Sequence, residues 1–391
     1  MNIEYILSSS NEESSFVGLR VNKEKVEIHF PEFLDFSHGD EERKIKDIRS
    51  LLDVIYFSKV IENQEVSKSD LEDVHIRKNL FYSYLWIIEH YLSGSSVNDW
   101  HSIKRQNYKG KIDWKSTMFS YPNIIDDYLF YDKIVSSRLE MSENSIEEVY
   151  KYCVSKAIEN LGWIYGLEVM EYNRRPINVS NYIIFVQKQL RHTHNEKKKE
   201  LYTNILSILL DVINEKDDSI TTFGTYNFSL IYESLVFSVF NNVKNISDFY
   251  PISYWEIDSF RYNNSKLRPD AILVKNESVC IIDAKYYRYE ITKKINDLPR
   301  TDSIQKQLTY QDHIKHTQKL NVKHNLFLVP NTTDEEITII GKATASWRSL
   351  DNSILLISIG LRALINLSLS SMKAKEFAQE ALLKKMSEFQ A

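Results

Sequence analysis

Two aspartates and a lysine in the stretch Leu267–Tyr287 are spaced as a cation and phosphate site would need them. The stretch reads LRPDAILVKNESVCIIDAKYY, with apolar runs Ala271–Val274 and Val279–Ile282 joined by Lys275-Asn276-Glu277-Ser278. Apolar, β-branched runs around a short polar segment predict a hairpin. Centring its turn between Asn276 and Glu277 sets Val274 opposite Val279, Ile272 opposite Ile281 and Asp270 opposite Asp283. Opposed Cβ atoms in an antiparallel pair lie roughly 4.5–5.5 Å apart. Alternation along the strand puts Lys285 on the face of Asp283. Carboxylates that close repel unless a proton or a cation sits between them. A hard divalent ion, held by one or two carboxylates and completed by water and substrate phosphate, meets that need. The bland alternative is a surface hairpin in which Lys285 balances two acids. Aspartates are poor strand formers, so opposing two of them favours the chemical reading.

These residues carry a family resemblance. Pro269-Asp270, then Asp283-Ala284-Lys285 thirteen residues after Asp270, resembles the PD-(D/E)XK nuclease signature. RPDAIL and IIDAKYY are similar to the LlaJI-type restriction endonucleases, relatives of the McrC nuclease subunit. The run Tyr226–Val243 has helical apolar spacing at Phe228, Ile231, Tyr232, Leu235, Val236, Val239 and Phe240, with Glu233 its single charge. A lone acid beside apolar surface costs desolvation unless partnered. The resemblance implies that IYESLV is the helix that aims a glutamate at the metal. It implies a catalytic set of Glu233, Asp270, Asp283 and Lys285, with the three acids binding Mg²⁺, for which Mn²⁺ can substitute. In IQKQLTYQDHIKHTQKL, Gln307 and Tyr310 resemble the glutamine–tyrosine pair of RecB-like nucleases, one residue more closely spaced; there the pair supports the site and touches DNA.

The elements that must position this site follow along the chain. FVGLRVNKEKVEIHF over Phe16–Phe30 predicts a hairpin, and with Pro31 broadly resembles the start of LlaJI-type proteins. Ile45, Ile48, Leu51, Leu52 and Ile55 mark an amphipathic helix. Leu80–Leu92, Ser145–Leu161, Val179–Leu190 and Leu201–Ile213 read as further helices. His101–Phe119 reads as a basic loop with Lys104, Arg105, Lys109, Lys111 and Lys115 among Tyr108 and Trp114. Cations neutralise phosphates and aromatics stack on bases, so Lys109 and Lys111 are candidate DNA contacts. The alternative is a solvated loop with Trp114 buried. Lys188–Lys199, KQLRHTHNEKKK, is the densest basic segment, and His192 and His194 are spaced to point apart on a helix. Tyr254–Tyr262 is expected to complete a three-strand meander with the site hairpin. Asn325–Pro330 is expected as a strand confined to an edge by Pro330, followed by strands Ile337–Ile340 and Ile354–Ile359 and a closing helix Ala374–Phe389.

The fold class expected is α+β / α/β. A C-terminal PD-(D/E)XK restriction-endonuclease-like core (220–391), a mixed β-sheet flanked by helices, follows an N-terminal α+β domain (1–135) and a helical connecting region (136–219). At 391 residues the chain can bury two or three cores. A net charge of −5 leaves nucleic-acid contact to local basic patches. Two cysteines are too few for a disulfide framework and match no zinc spacing, which points to a reducing cytoplasm. No signal peptide or uncharged membrane span is read, because Arg362 interrupts Ile354–Leu369.

The resemblance implies a restriction endonuclease, or the nuclease subunit of a restriction complex, acting on double-stranded DNA. Expected partners are an AAA+ GTPase subunit, a cognate methyltransferase and a second copy on DNA. The chain has no G-x-x-x-x-G-K-[ST], so nucleotide hydrolysis would come from a partner. A repair nuclease, or a non-catalytic DNA-binding or assembly module, are the alternatives; the intact Asp270, Asp283 and Lys285 set argues against the module.

Overall fold

The structure, a computed structural model, describes residues 2–8, 15–21, 25–35, 40–62, 80–95, 97, 100–107, 109–126, 128–141, 146–168, 178–214, 221–264, 266–276, 278–318, 320–334, 337–348 and 353–390. These form two compact units, Met1–Ile76 with Ser219–Ala391, and Arg77–Asp218. The linear division at 135 and 219 expected from sequence therefore differs from the one observed. One unit is assembled from both parts of the chain that flank the other.

The first unit opens with β1 (Asn2–Leu7), β2 (Val17–Val21), β3 (Lys25–Phe30) and α1 (Glu41–Glu62). β2 and β3 form the expected hairpin, Gly18 opposite His29 and Val21 opposite Val26; its turn, 22–24, lies outside the described residues. β1 joins β3 in parallel.

The second unit contains α2 (Leu80–Leu92), β4 (Trp100–Gln106), β5 (Lys111–Ile112), α3 (Trp114–Met118), β6 (Asn123–Ile125), β7 (Tyr128–Phe130) and β8 (Val135–Met141). Helices α4 (Ile146–Leu161), α5 (Val179–His192) and α6 (Glu196–Asn214) follow. Buried Ile87, Ile88, Val154, Ala157, Ile205 and Ile208 make its helical core, and Ser83 Oγ–Asn204 Oδ1 at 2.9 Å ties α2 to α6. His101–Phe119 is not the loop expected. β4 and β5 both pair with β8. Asp113 then starts α3 by accepting the Ser116 N–H, and holds the Lys104 ammonium at 2.5 Å. Trp114 is 61% exposed, so no core demands it; Tyr108 lies outside the described residues.

The first unit resumes with β9 (Thr221–Thr225), antiparallel to β2. Gly18 faces Gly224 there. Gly18 has φ +139°, and a Cβ on it would lie 2.2 Å from the Phe223 carbonyl oxygen. Only glycine permits that close approach at such a φ. Then come α7 (Phe228–Phe240), β10 (Tyr254–Ile257), β11 (Phe260–Asn263), β12 (Ala271–Lys275), β13 (Ser278–Ala284), α8 (Tyr289–Thr292) and α9 (Thr301–His313). β14 (Asn321–Asn331), β15 (Thr338–Ala343), β16 (Ile354–Gly360), α10 (Leu361–Ser368) and α11 (Met372–Gln390) complete it.

The five-stranded sheet of this unit has the order β12-β13-β14-β16-β15. β13, β14 and β16 are parallel, and both outer strands antiparallel to their neighbours. Ile272, Val279, Ile281 and Val322 pack with Tyr310 and Ile314 on one side. Two sequence expectations fail here. Among the described residues, β10 and β11 pair only with each other, and no third meander strand joins the site hairpin. β14 is central, so Pro330 is not at an edge. It is tolerated because the Leu328 carbonyl takes the Lys285 N–H, the last bond from the β13 side. Two residues on, Pro330 turns its missing N–H to that same side, past the end of β13.

The free edge of β12 is covered by the end of α7. Asn242 pairs with both backbone groups of Val274, its side chain accepting the N–H and donating to the carbonyl, each at 2.8 Å. Asn241 Oδ1 accepts the Ile272 N–H at 3.2 Å. Two side-chain amides thus stand where another strand could otherwise add. Among the described residues, no helix is long and apolar enough to cross a membrane.

Candidate active site

The hairpin register is as the sequence spacing predicts, Val274 with Val279 and Ile272 with Ile281; Glu277 of its turn lies outside the described residues. Strand pairing ends at Ala271 with Ile282, and Asp270 takes over from there. Its Oδ2 accepts the Ala284 N–H at 2.6 Å, so the carboxylate closes the open end of the hairpin. Asp283 is buried, and its Oδ2 meets Lys285 Nζ at 2.5 Å. Its other oxygen, Oδ1, is buried with no hydrogen-bond partner among the described residues.

Glu233 is half-buried on α7 and joins the same electrostatic neighbourhood. Burial first, then the charges of Asp283 and Glu233, push the Asp270 carboxyl well above the usual carboxylate range. Lys285 and the Ala284 N–H pull the other way without offsetting this. Burial acts to lower the affinity of Lys285 for its proton, but Asp283, by charge and hydrogen bond, and Asp270 outweigh it. The Lys285 pKa is therefore raised.

Gln307 and Tyr310 lie on α9 and are fully buried. Gln307 Nε2 donates to the Leu326 carbonyl at 3.1 Å and the Ile281 carbonyl at 3.5 Å, bridging β13 and β14. The Tyr310 hydroxyl donates to the Arg268 carbonyl at 2.6 Å, fixing the backbone two residues before Asp270. They support the site; buried this way, they offer no surface to DNA, which corrects their expected role as nucleic-acid contacts. Lys109 and Lys111 are exposed in the second unit, Lys109 in the β4–β5 connection and Lys111 opening β5.

Sequence reasoning missed Tyr232, whose buried hydroxyl donates to the Leu328 carbonyl at 3.2 Å. That carbonyl also takes the Lys285 N–H, so one atom ties α7 and the Lys285 backbone to β14. The available signal was Tyr232 beside Glu233, a polar-tipped ring on a helix otherwise set for the core.

Among the described residues, no three His, Cys, Asp or Glu side chains gather as a ready-made metal cluster. The donors present fit a cation bound by fewer carboxylates. Asp283 presents a buried oxygen without a partner, and Asp270 is a crowded carboxylate that a positive charge would relieve.

What these features define is a mixed α+β protein with an acid pair and a lysine at the rim of a parallel-centred sheet. Residues 16–360 match the model of the LlaJI restriction endonuclease family. The chain belongs to that family. It is similar to the Type II restriction enzyme BsuMI component YdjA of Bacillus subtilis (strain 168), 24% identical over 300 residues, covering 72% of this chain. The match spans 63% of that relative's own length. Among solved structures, it is similar to a chain of the half-complex from a tetradecameric assembly of Thermococcus gammatolerans McrB AAA+ hexamers with bound McrC, at 11% identity over 95% of this chain and 82% of the other, with a TM-score of 0.42. A second, the Thermococcus gammatolerans McrBC complex, gives 14% identity over 56% and 57%, with a TM-score of 0.18. Structural likenesses this weak carry no argument about fold or partner.

Proposed function

We propose that the chain is the DNA-cleaving component of a restriction system, a PD-(D/E)XK phosphodiesterase that uses Mg²⁺. The carrying observation is the rim of β13, where Asp283 is buried against Lys285, Asp270 is held by the Ala284 N–H, and Asp283 Oδ1 lacks a partner among the described residues. Asp270 and Asp283 would hold the ion, with Glu233 acting through water. When bound, Mg²⁺ would supply Lewis-acid stabilisation of charge on the cleaved phosphate and an acidified water.

The chain's own residues have narrower tasks. Lys285, with its pKa raised, is an ammonium at neutral pH. It is suited to donate to a phosphoryl oxygen. Asp270 and Asp283 would supply the negative charge that holds the cation between them and the phosphate, and Tyr310 and Gln307 hold the hairpin that carries them.

One chain brings one such site, so cutting both strands calls for a second copy on DNA. An AAA+ GTPase subunit and a cognate methyltransferase are the other partners in this reading, which agrees with the relative being called a component of a restriction enzyme. The test is plasmid cleavage with Mg²⁺ by the purified chain and by Asp283→Asn, each with and without a GTP-hydrolysing partner. Discrete fragments from the unmodified chain alone are expected. Equal cleavage by both proteins, or none in any condition while DNA binding persists, would overturn the reading.

A further inference from the structure

β10 and β11 form a two-stranded ribbon immediately before the site. Trp255 faces Tyr262 and Ile257 faces Phe260. Directly opposed residues share a face, as do residues two apart, so these four line one side of the ribbon. They are 65%, 55%, 54% and 67% exposed in that order. The other side carries Tyr254, Glu256, Arg261 and Asn263, with the Arg261 guanidinium 3.7 Å from the Tyr254 ring centroid. An isolated ribbon is marginal in water, and an aromatic face left in solvent beside a reactive site marks a surface for binding.

Its anchoring is firm where it matters. Asp258 and Ser259 at the tip have φ of 50° and 69°, the left-handed pair of a tight turn that matches strand twist. At the base, the Asn264 N–H bonds the Ser253 carbonyl at 2.8 Å and the Leu267 N–H the Pro251 carbonyl at 3.2 Å. Tyr310 then holds Arg268, two residues from Asp270. Lys266 and Arg268 are exposed at this base, and Lys306 lies 5.7 Å from the Tyr310 ring centroid. None of the three has an acidic partner among the described residues. Cations at the root and aromatics along the blade match a nucleic-acid strand, phosphates to the first and bases to the second.

We propose that the ribbon Tyr254–Asn263 is a DNA-contacting wedge. Its Trp255, Ile257, Phe260 and Tyr262 face packs on bases flanking the cleaved phosphate, and Lys266 and Arg268 take the adjoining phosphates. This rests on the nuclease reading above and names how that site grips its substrate. Apolar wedges of this kind unstack a base step and bend the duplex.

The test measures duplex binding by fluorescence anisotropy in an Asp283→Asn background, across a salt series, with Trp255→Ala, Phe260→Ala, Phe260→Tyr and Lys266→Ala. Melting curves confirm that each variant is folded. Either alanine at an aromatic position is expected to weaken binding about fivefold or more without changing the salt slope. Phe260→Tyr, which keeps the ring, is expected to bind like the parent. Lys266→Ala is expected to lower the salt slope by about one. Unchanged affinity in both aromatic variants overturns the wedge while leaving the nuclease reading standing. So does a shift from dimer to monomer in those variants with DNA affinity intact, which would make the ribbon a surface between copies. A parent that binds no DNA would overturn both readings together.

Discussion

Asp270→Asn isolates the electrostatic cost of the site. Asparagine keeps an oxygen to accept the Ala284 N–H and removes the charge that burial, Asp283 and Glu233 all oppose. The native carboxyl holds its proton to a higher pH than an unfolded aspartate, whose pKa is about 3.9. Between those two values the folded chain binds more protons than the unfolded chain, so this group makes stability fall as pH rises. One proton sets the steepest possible slope, about 1.4 kcal/mol per pH unit. The variant lacks that slope. Its stability relative to the parent is therefore expected to climb from about pH 4 to the raised native value and then level off. Urea denaturation of both proteins from pH 5 to 8, in chelator, reads the difference directly, and titrating groups away from the site cancel in the comparison. Mg²⁺ should stabilise the parent increasingly with pH and the variant much less, since the ion competes with the proton for Asp270. A parent–variant difference that is flat with pH, or one in which the parent gains as pH rises, would refute the crowding of charge at Asp270.

Lys285→Met leaves the buried Asp283 without its cation. It should cost roughly 3–5 kcal/mol at neutral pH by urea denaturation and abolish plasmid cleavage. Tyr310→Phe removes the 2.6 Å bond to the Arg268 carbonyl; a loss of about 1 kcal/mol is expected, with cleavage slowed more than DNA binding. Arg362→Met breaks the paired bonds to Asp47, both 3.1 Å, and the link to Asp334 at 2.6 Å. It should cost about 3 kcal/mol, yet leave cleavage per folded molecule unchanged because no site residue is touched.

The parts legible in sequence are those whose cause is local. The site hairpin could be registered to the residue because its two arms are joined by a short turn, and Val274 with Val279 falls out of counting. α7 was legible by apolar period, and Glu233 by its isolation within that period. What escaped depends on distant pairing. Nothing near Thr221 says that it will zip onto Val21, and so the interleaving of the two units was not readable. Tyr254–Tyr262 alternates like a sheet strand, but its Asp258-Ser259 turn folds it back on itself. Gln307 was expected to touch DNA from its resemblance to the glutamine–tyrosine pair of RecB-like nucleases; its burial follows from two strand carbonyls that only the folded sheet brings together.

The place of the proposed chemistry follows from where strands stop. β13, β14 and β16 run parallel, so their carboxyl ends lie on one rim, where open sheets hold their ligands. β13 stops at Ala284 while β14 runs on to Asn331, which leaves the residues after Asp283 free to turn toward a substrate. Because β12 is antiparallel to β13, it begins at the rim where β13 ends, and Asp270 arrives beside Asp283 without any further device. A slip of one residue between these strands would send Asp270 to the opposite face. Asn242, by pairing both backbone groups of Val274 from outside the sheet, covers the free edge of β12, while the short connection to β13 keeps the register that holds the two acids together.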